Sequence, residues 1–137
     1  MLKIHTDGGA RGNPGPAAST FVVYDHLGEV IFSQGKYLGQ ATNNQAEYQA
    51  VEMAIDWLIK TKINEEVEFY LDSLLVINQL QGNFKIKNPE LKTIWEKIKT
   101  NILENKLMVK SFVYVPRAKN FLADSLVNKI LDQYYSA

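Results

Sequence analysis

Four acidic residues occupy positions where a purely structural role is awkward. Asp7 closes an apolar run, Leu2 to Asp7, and opens onto glycine, proline and small polar groups in the stretch HTDGGARGNPGP, His5 to Pro16. Asp72 closes a second such run, Val67 to Asp72. Glu47 and Asp124 lie in segments of helical periodicity. The first is in register with Val51, Ala54 and Leu58 and the second with Val127 and Leu131, so both carboxylates continue core-facing stripes. If the two strands are neighbours and the two helices cross near their ends, four carboxylates meet at one sheet edge. Such a cluster repels itself and loses hydration, costs that burial makes severe. Divalent cations relieve the repulsion. Oxygen-only ligation suits Mg²⁺ or Mn²⁺, and Mg²⁺ keeps positions open for water and a substrate phosphate.

Each acid also has a plainer role open to it. Asn44-Gln45-Ala46-Glu47 has nearly the form of a capping box, with Glu47 reaching back to the Asn44 N–H. Asp72 can cap the helix that Ser73 begins, Asp124 can face solvent near a helix N-terminus, and Asp7 can tie down its own loop. Independent capping leaves unexplained why two of the acids share core-facing stripes while the other two end strands.

The elements that would position these acids follow from patterning. Leu2 to Asp7, Ala18 to Tyr24 and Val30 to Tyr37 read as strands, the last two joined by the hairpin turn DHLG. Asn44 to Lys60 reads as a helix, Val67 to Asp72 as a strand and Ser73 to Gln81 as a short helix stopped near Gly82. Pro89 to Asn105 follows as a helix with Leu91, Ile94, Trp95, Ile98 and Ile102 on one stripe and Pro89 in its first turn. Met108 to Val115 is a last strand and Phe121 to Tyr134 a closing helix; whether the aromatic pair Tyr134 and Tyr135 packs down or dangles is open, though such a pair on a helix more often packs. An opening hairpin pairs antiparallel while later strands return over helices, which predicts an α/β fold with a mixed five-stranded sheet and helices on its faces.

Composition narrows the class of function. The 137 residues fit one domain, 46% hydrophobic and 22% charged, without cysteine and without an apolar run of membrane-spanning length. The expectation is a cytoplasmic monomer that makes no use of membranes, disulfides or thiolate metal sites. Net charge is zero, but residues 1 to 72 hold five Lys/Arg against ten Asp/Glu, and residues 73 to 137 hold ten against five. The basic excess concentrates between Lys85 and Lys110, either as a polyanion-facing patch or as a solvated helix face.

Taken in order, TDGGARGNPGP (Thr6 to Pro16), TNNQAE (Thr42 to Glu47), LDS (Leu71 to Ser73) and VPRAKNFLAD (Val115 to Asp124) give the chain a resemblance to type 1 ribonuclease H along nearly its whole length. The resemblance implies a single ribonuclease H domain over residues 1–137, a mixed sheet of order 3-2-1-4-5, and endonucleolytic cleavage of RNA paired to DNA. It implies two Mg²⁺ ions, with Mn²⁺ as substitute, held by Asp7, Glu47, Asp72 and Asp124, and products with 5′-phosphate and 3′-hydroxyl ends. It further implies that Gly8, Gly9 and Ala10 let the backbone approach the minor groove of the hybrid. There Asn13, Asn43, Asn44 and Gln45 would hydrogen-bond to the strands and Thr42 would help seat a DNA phosphate. Contacts of this kind position a duplex without reading its sequence.

The sequence departs from many relatives in two places. Only GNFKIKNPE joins Gly82 to Glu90 where a lysine-rich extension is common, leaving Lys85 and Lys87, with Phe84, as candidates for the DNA strand. So few phosphate contacts predict modest affinity with a shallow dependence on salt. The loop before the last acid, VPRAKN, has no histidine, and the chain's two, His5 and His26, fall in the first strand and the hairpin turn. Arg117 and Asn120 on that loop are further substrate candidates, Arg117 being alternatively a counter-charge to the acids. A silent binding module of the same fold, or a nuclease that also cuts double-stranded RNA, are the competing readings.

Overall fold

The structure, a computed structural model, describes residues 1–134. Three opening strands, β1 (Leu2–Ala10), β2 (Gly15–Tyr24) and β3 (Val30–Ala41), are followed by α1 (Asn43–Lys60), β4 (Val67–Leu71), α2 (Leu74–Leu80), α3 (Pro89–Glu104), β5 (Val109–Tyr114) and α4 (Phe121–Tyr134). A 3-10 turn, Arg117–Lys119, leads into α4. The five strands form one sheet of order β3-β2-β1-β4-β5, antiparallel across the first three and parallel from β1 through β5. The mixed sheet is therefore as expected.

Helices cover both faces. Ile4, Phe21, Val23, Phe69 and Leu71 point from the sheet into one core with Tyr48, Val51, Ile55 and Leu58 of α1, Val76 and Leu80 of α2, and Leu91 and Ile98 of α3. On the other face α4 packs alone, through Val127 and Leu131 against Ala18. Small residues permit that approach: a Cβ at Gly35 would fall 2.2 Å from Ile130 Cδ1. Tyr134 stacks on Tyr37 at 5.1 Å between ring centroids; Tyr135 lies outside the described residues.

Two boundaries differ from the sequence reading in ways that matter for the acids. β1 does not stop at Asp7 but continues through Gly8, Gly9 and Ala10, which pair with Ser19, Ala18 and Ala17. Asp7 thus lies inside the strand, opposite Thr20. Glycine has little strand propensity of its own, and here the partner strand supplies what the local sequence lacks. At the start of α1 the capping box is formed by Thr42 and Gln45, not by Asn44 and Glu47. The Gln45 side chain accepts from the Thr42 N–H at 2.8 Å, and the Gln45 N–H donates to Thr42 Oγ1 at 3.1 Å. Glu47 is left free of capping. Ser73, not Asp72, caps α2, accepting from the Val76 N–H.

Candidate active site

β1 and β4 are the neighbours at which the direction of chain travel across the sheet reverses, and in open α/β sheets the crevice beyond the strand ends at such a point is where ligands bind. Their ladder ends at His5 and Tyr70, and the residues beyond carry Asp7 and Asp72. α1 brings Glu47 to the same place. Its first turn can descend onto β1 because Gly8 has no side chain: a Cβ there would lie 2.2 Å from the carbonyl carbon of Ala46 and 2.4 Å from the Glu47 nitrogen. Gly8→Ala is therefore expected to push α1 off the sheet, costing about 1–3 kcal/mol as overpacking does, and to abolish any activity that depends on the placement of Glu47. A denaturant midpoint and activity both equal to wild type would show that Gly8 is not the contact that sets Glu47.

Two buried hydroxyls hold the acid-bearing helices. Adjacent residues of a strand face opposite sides of a sheet. Ser19 Oγ accordingly donates to the Ala46 carbonyl of α1 at 2.6 Å, while Thr20 Oγ1 donates to the Ala123 carbonyl of α4 at 2.8 Å. Each bond grips the residue immediately before an acid, Glu47 in one case and Asp124 in the other. Sequence reasoning passed over this pair, though two successive hydroxyls inside an apolar strand, AASTFVV, are the visible signal.

Asp7, Glu47 and Asp72 each present a carboxylate oxygen within 4.8 Å of the others. Asp124 lines the same cleft, of about 520 Å³, but stands outside that triplet, with Asn128 Nδ2 donating to its Oδ2 at 3.5 Å and Arg117 Nε 4.0 Å from its Oδ1. Asp7 is 3% and Glu47 8% exposed. Burial pushes the Asp7 carboxyl up to about 8, the charges of Asp72 and Asp124 add to the effect, and hydrogen bonds with Glu47 and the Gly8 N–H oppose it. Glu47 is held well above its ordinary value, first by burial and then by the charges of Asp7 and Asp72. Its Oε2 is buried without a hydrogen-bond partner. An orphaned carboxylate oxygen facing two further carboxylates is a set of hard donors that fits a divalent cation.

The other expected contact residues separate into groups. Gly8, Gly9, Ala10, Asn43, Asn44 and Arg117 line the acid cleft, joined by Arg11 and Asn128, which sequence reasoning missed. Arg11 was legible as a cation inside the glycine-rich motif; it pairs with Asp132 of α4. Asn13 accepts from the Asn43 N–H, and Asn43 Oδ1 accepts from the Ala10 N–H, which ties the β1–β2 loop to α1. Thr42 and Gln45 are spent on the cap, and Gln45 also donates to Glu90 of α3. Lys85 lines a separate cleft of about 490 Å³ with Phe84, Lys92 and Trp95, and Lys87 is exposed beside it. Asn120 is not on the surface at all: it is 1% exposed and its amide is engaged inside the protein.

Known proteins share this fold. A family model described as Reverse transcriptase-like matches residues 5–130. LC11-RNase H1, isolated from compost and solved in complex with an RNA/DNA hybrid, is 41% identical, superposes with a TM-score of 0.92, and matches 99% of this chain and 100% of its own. The RNase H1 structure from Halobacterium salinarum is 36% identical with a TM-score of 0.89, over 96% of this chain and 98% of that one. Among curated relatives, a bifunctional protein of Mycobacterium tuberculosis is 35% identical over 94% of this chain, and ribonuclease HI of H. salinarum 37% over 95%. The chain spans 35% of the first of these relatives and 65% of the second. With the sheet order, the family model and similarity along nearly the whole chain all in agreement, the chain belongs to the type 1 ribonuclease H family.

Proposed function

We propose that residues 1–137 act as one domain, an endonuclease that hydrolyses the RNA strand of RNA/DNA hybrids and leaves 5′-phosphate and 3′-hydroxyl ends. The observation that carries the reading is the close triplet of buried Asp7 and Glu47 with half-buried Asp72, holding one unpartnered oxygen and open to a cleft wide enough for a phosphodiester. Asp7, Glu47, Asp72 and Asp124 would hold two Mg²⁺ ions, or Mn²⁺ in their place. When bound, such a pair supplies Lewis-acid stabilisation of the attacking and leaving oxygens. The chain's own residues do the rest. Gly8, Gly9 and Ala10 admit the minor-groove side of the hybrid to the acids, where an A-like strand displays 2′-hydroxyls. Asn43 and Asn44, at the start of α1, stand beside them as hydrogen-bonding partners for the two strands. Arg117, largely exposed next to Asp124, is placed to meet a backbone phosphate, and Lys85 and Lys87 with Phe84 would meet the DNA strand farther along.

The test is cleavage of a labelled hybrid by purified protein in Mg²⁺ or Mn²⁺, with EDTA as control. The expected result is metal-dependent cutting of the RNA strand throughout its length, with uncut RNA duplex and uncut single-stranded RNA. Hybrid bound but uncut in either metal would make the chain a silent module. Equal cutting of double-stranded RNA would widen the substrate.

A further inference from the structure

Asn120 sits where β1 and β4 part, and its contacts fix its orientation. The side-chain amide faces the Thr6 carbonyl at 2.9 Å and Asp72 Oδ2 at 3.3 Å. Both are acceptors, so the amide nitrogen must lie on that side and donate to both. Its Oδ1 then faces the other way, toward His5 Nδ1 at 3.0 Å. An oxygen there needs a donor. The imidazole proton must therefore reside on Nδ1, and the three residues form a chain, His5 Nδ1–H to Asn120 Oδ1 and Asn120 Nδ2–H to Asp72, buried at its middle.

The ring of His5 is held for this purpose. It stacks on Tyr70 of β4 with 4.9 Å between centroids and an angle of 11°, and meets Tyr24 of β2 edge-on at 5.0 Å. With its plane set by two neighbouring strands, Nδ1 has one direction in which to point. Without that N–H, Asn120 Oδ1 is left buried with no donor, and the amide loses the contact that anchors its oxygen end while Thr6 and Asp72 alone hold its nitrogen end. Turned over, it would aim Oδ1 at the Thr6 carbonyl and the Asp72 carboxylate, oxygen against oxygen.

We propose that His5 is a positioning residue for Asp72, acting through the amide of Asn120. This rests on the ribonuclease reading above, and it assigns a role to a histidine that lies far along the chain from the loop preceding Asp124. The effect belongs to the geometry of the acid, so it should appear in turnover and not in hybrid affinity.

Two variants separate the donor from the ring. His5→Phe keeps a ring between Tyr24 and Tyr70 but has no N–H, whereas His5→Asn loses the ring and keeps an amide nitrogen near the place of Nδ1. His5→Phe is expected to lower kcat about five- to tenfold with KM unchanged, the scale of one lost hydrogen bond, and His5→Asn to remain within about twofold of wild type. A measurement on wild type needs neither metal nor turnover: the ¹⁵N shifts of the His5 imidazole in metal-free protein should report a proton on Nδ1. Protonation on Nε2 alone, an unchanged kcat in His5→Phe, or equal losses in both variants would overturn the proposal. Wild-type protein unable to cut hybrid would sink the ribonuclease reading, while the imidazole spectrum would still decide the orientation of Asn120.

Discussion

Asp7→Asn is expected to remain folded and to lose about a thousandfold or more in hybrid cleavage, equivalent to several kcal/mol of transition-state stabilisation. Asp7 is singled out because the other acids converge on it: it shares a hydrogen bond with Glu47, and the charges of Asp72 and Asp124 both act on its carboxyl. Asparagine has the same shape, so the packing of β1 against Thr20 is kept, and an amide needs no proton to be neutral, which removes the cost of holding the Asp7 carboxyl protonated above its ordinary range. The melting temperature in EDTA should therefore rise while activity disappears. Retained turnover in Asp7→Asn would remove the acid cluster from the chemistry. A fall in melting temperature would mean that the carboxylate serves the fold.

The second large effect is on stability as a function of pH in metal-free protein. In the folded state the Asp7 carboxyl is raised to about 8, whereas in an unfolded chain an aspartate titrates near its ordinary value of about 4. Between those two values the folded protein keeps a proton that the unfolded chain has lost. Stability is then full below the unfolded value and declines as pH rises through the window, by about 1.4 kcal/mol per pH unit for one such proton. Glu47, raised for the same reason, falls in the same direction. Urea midpoints measured in EDTA from pH 5 to pH 8 should thus decrease, contrary to the behaviour of carboxylates held in salt bridges. Added Mg²⁺ should restore the loss at the alkaline end, because a cation bound to the ionised folded form stabilises it by mass action. Midpoints that stay level across the range and ignore Mg²⁺ would contradict both the burial and the cation site.

How much of this was legible in advance depends on how local the cause is. Among the described residues α4 runs from Phe121 to Tyr134 as its periodicity indicates, because its apolar stripe lies in one short segment. The start of α1 was harder. Two overlapping capping boxes are written into TNNQAE, one on Thr42 and one on Asn44, and local chemistry does not choose between them. The choice is made by Gly8 and Ser19, which seat Ala46 against the sheet and turn Glu47 inward. The extension of β1 through two glycines likewise depends on β2 lying alongside. The four acids were visible from their placement on strand ends and stripes, yet their grouping into a close triplet with Asp124 at its margin is a matter of geometry that no spacing reveals. Asn120 is the clearest case. Its motif suggested a surface contact, and only the partners 48 and 115 positions away show it to be a buried brace.

The order of the strands has a consequence for how the protein comes into being. β1, synthesised first, is the middle strand of the sheet, and its parallel neighbour β4 begins only at Val67. The acids are drawn from positions 7, 47, 72 and 124. A nascent chain can therefore form the opening hairpin soon after leaving the ribosome, but the four-acid cleft cannot be complete until α4 has emerged and docked beside Thr20. Every shorter intermediate lacks the complete set of acids and so cannot hold the pair of cations proposed above.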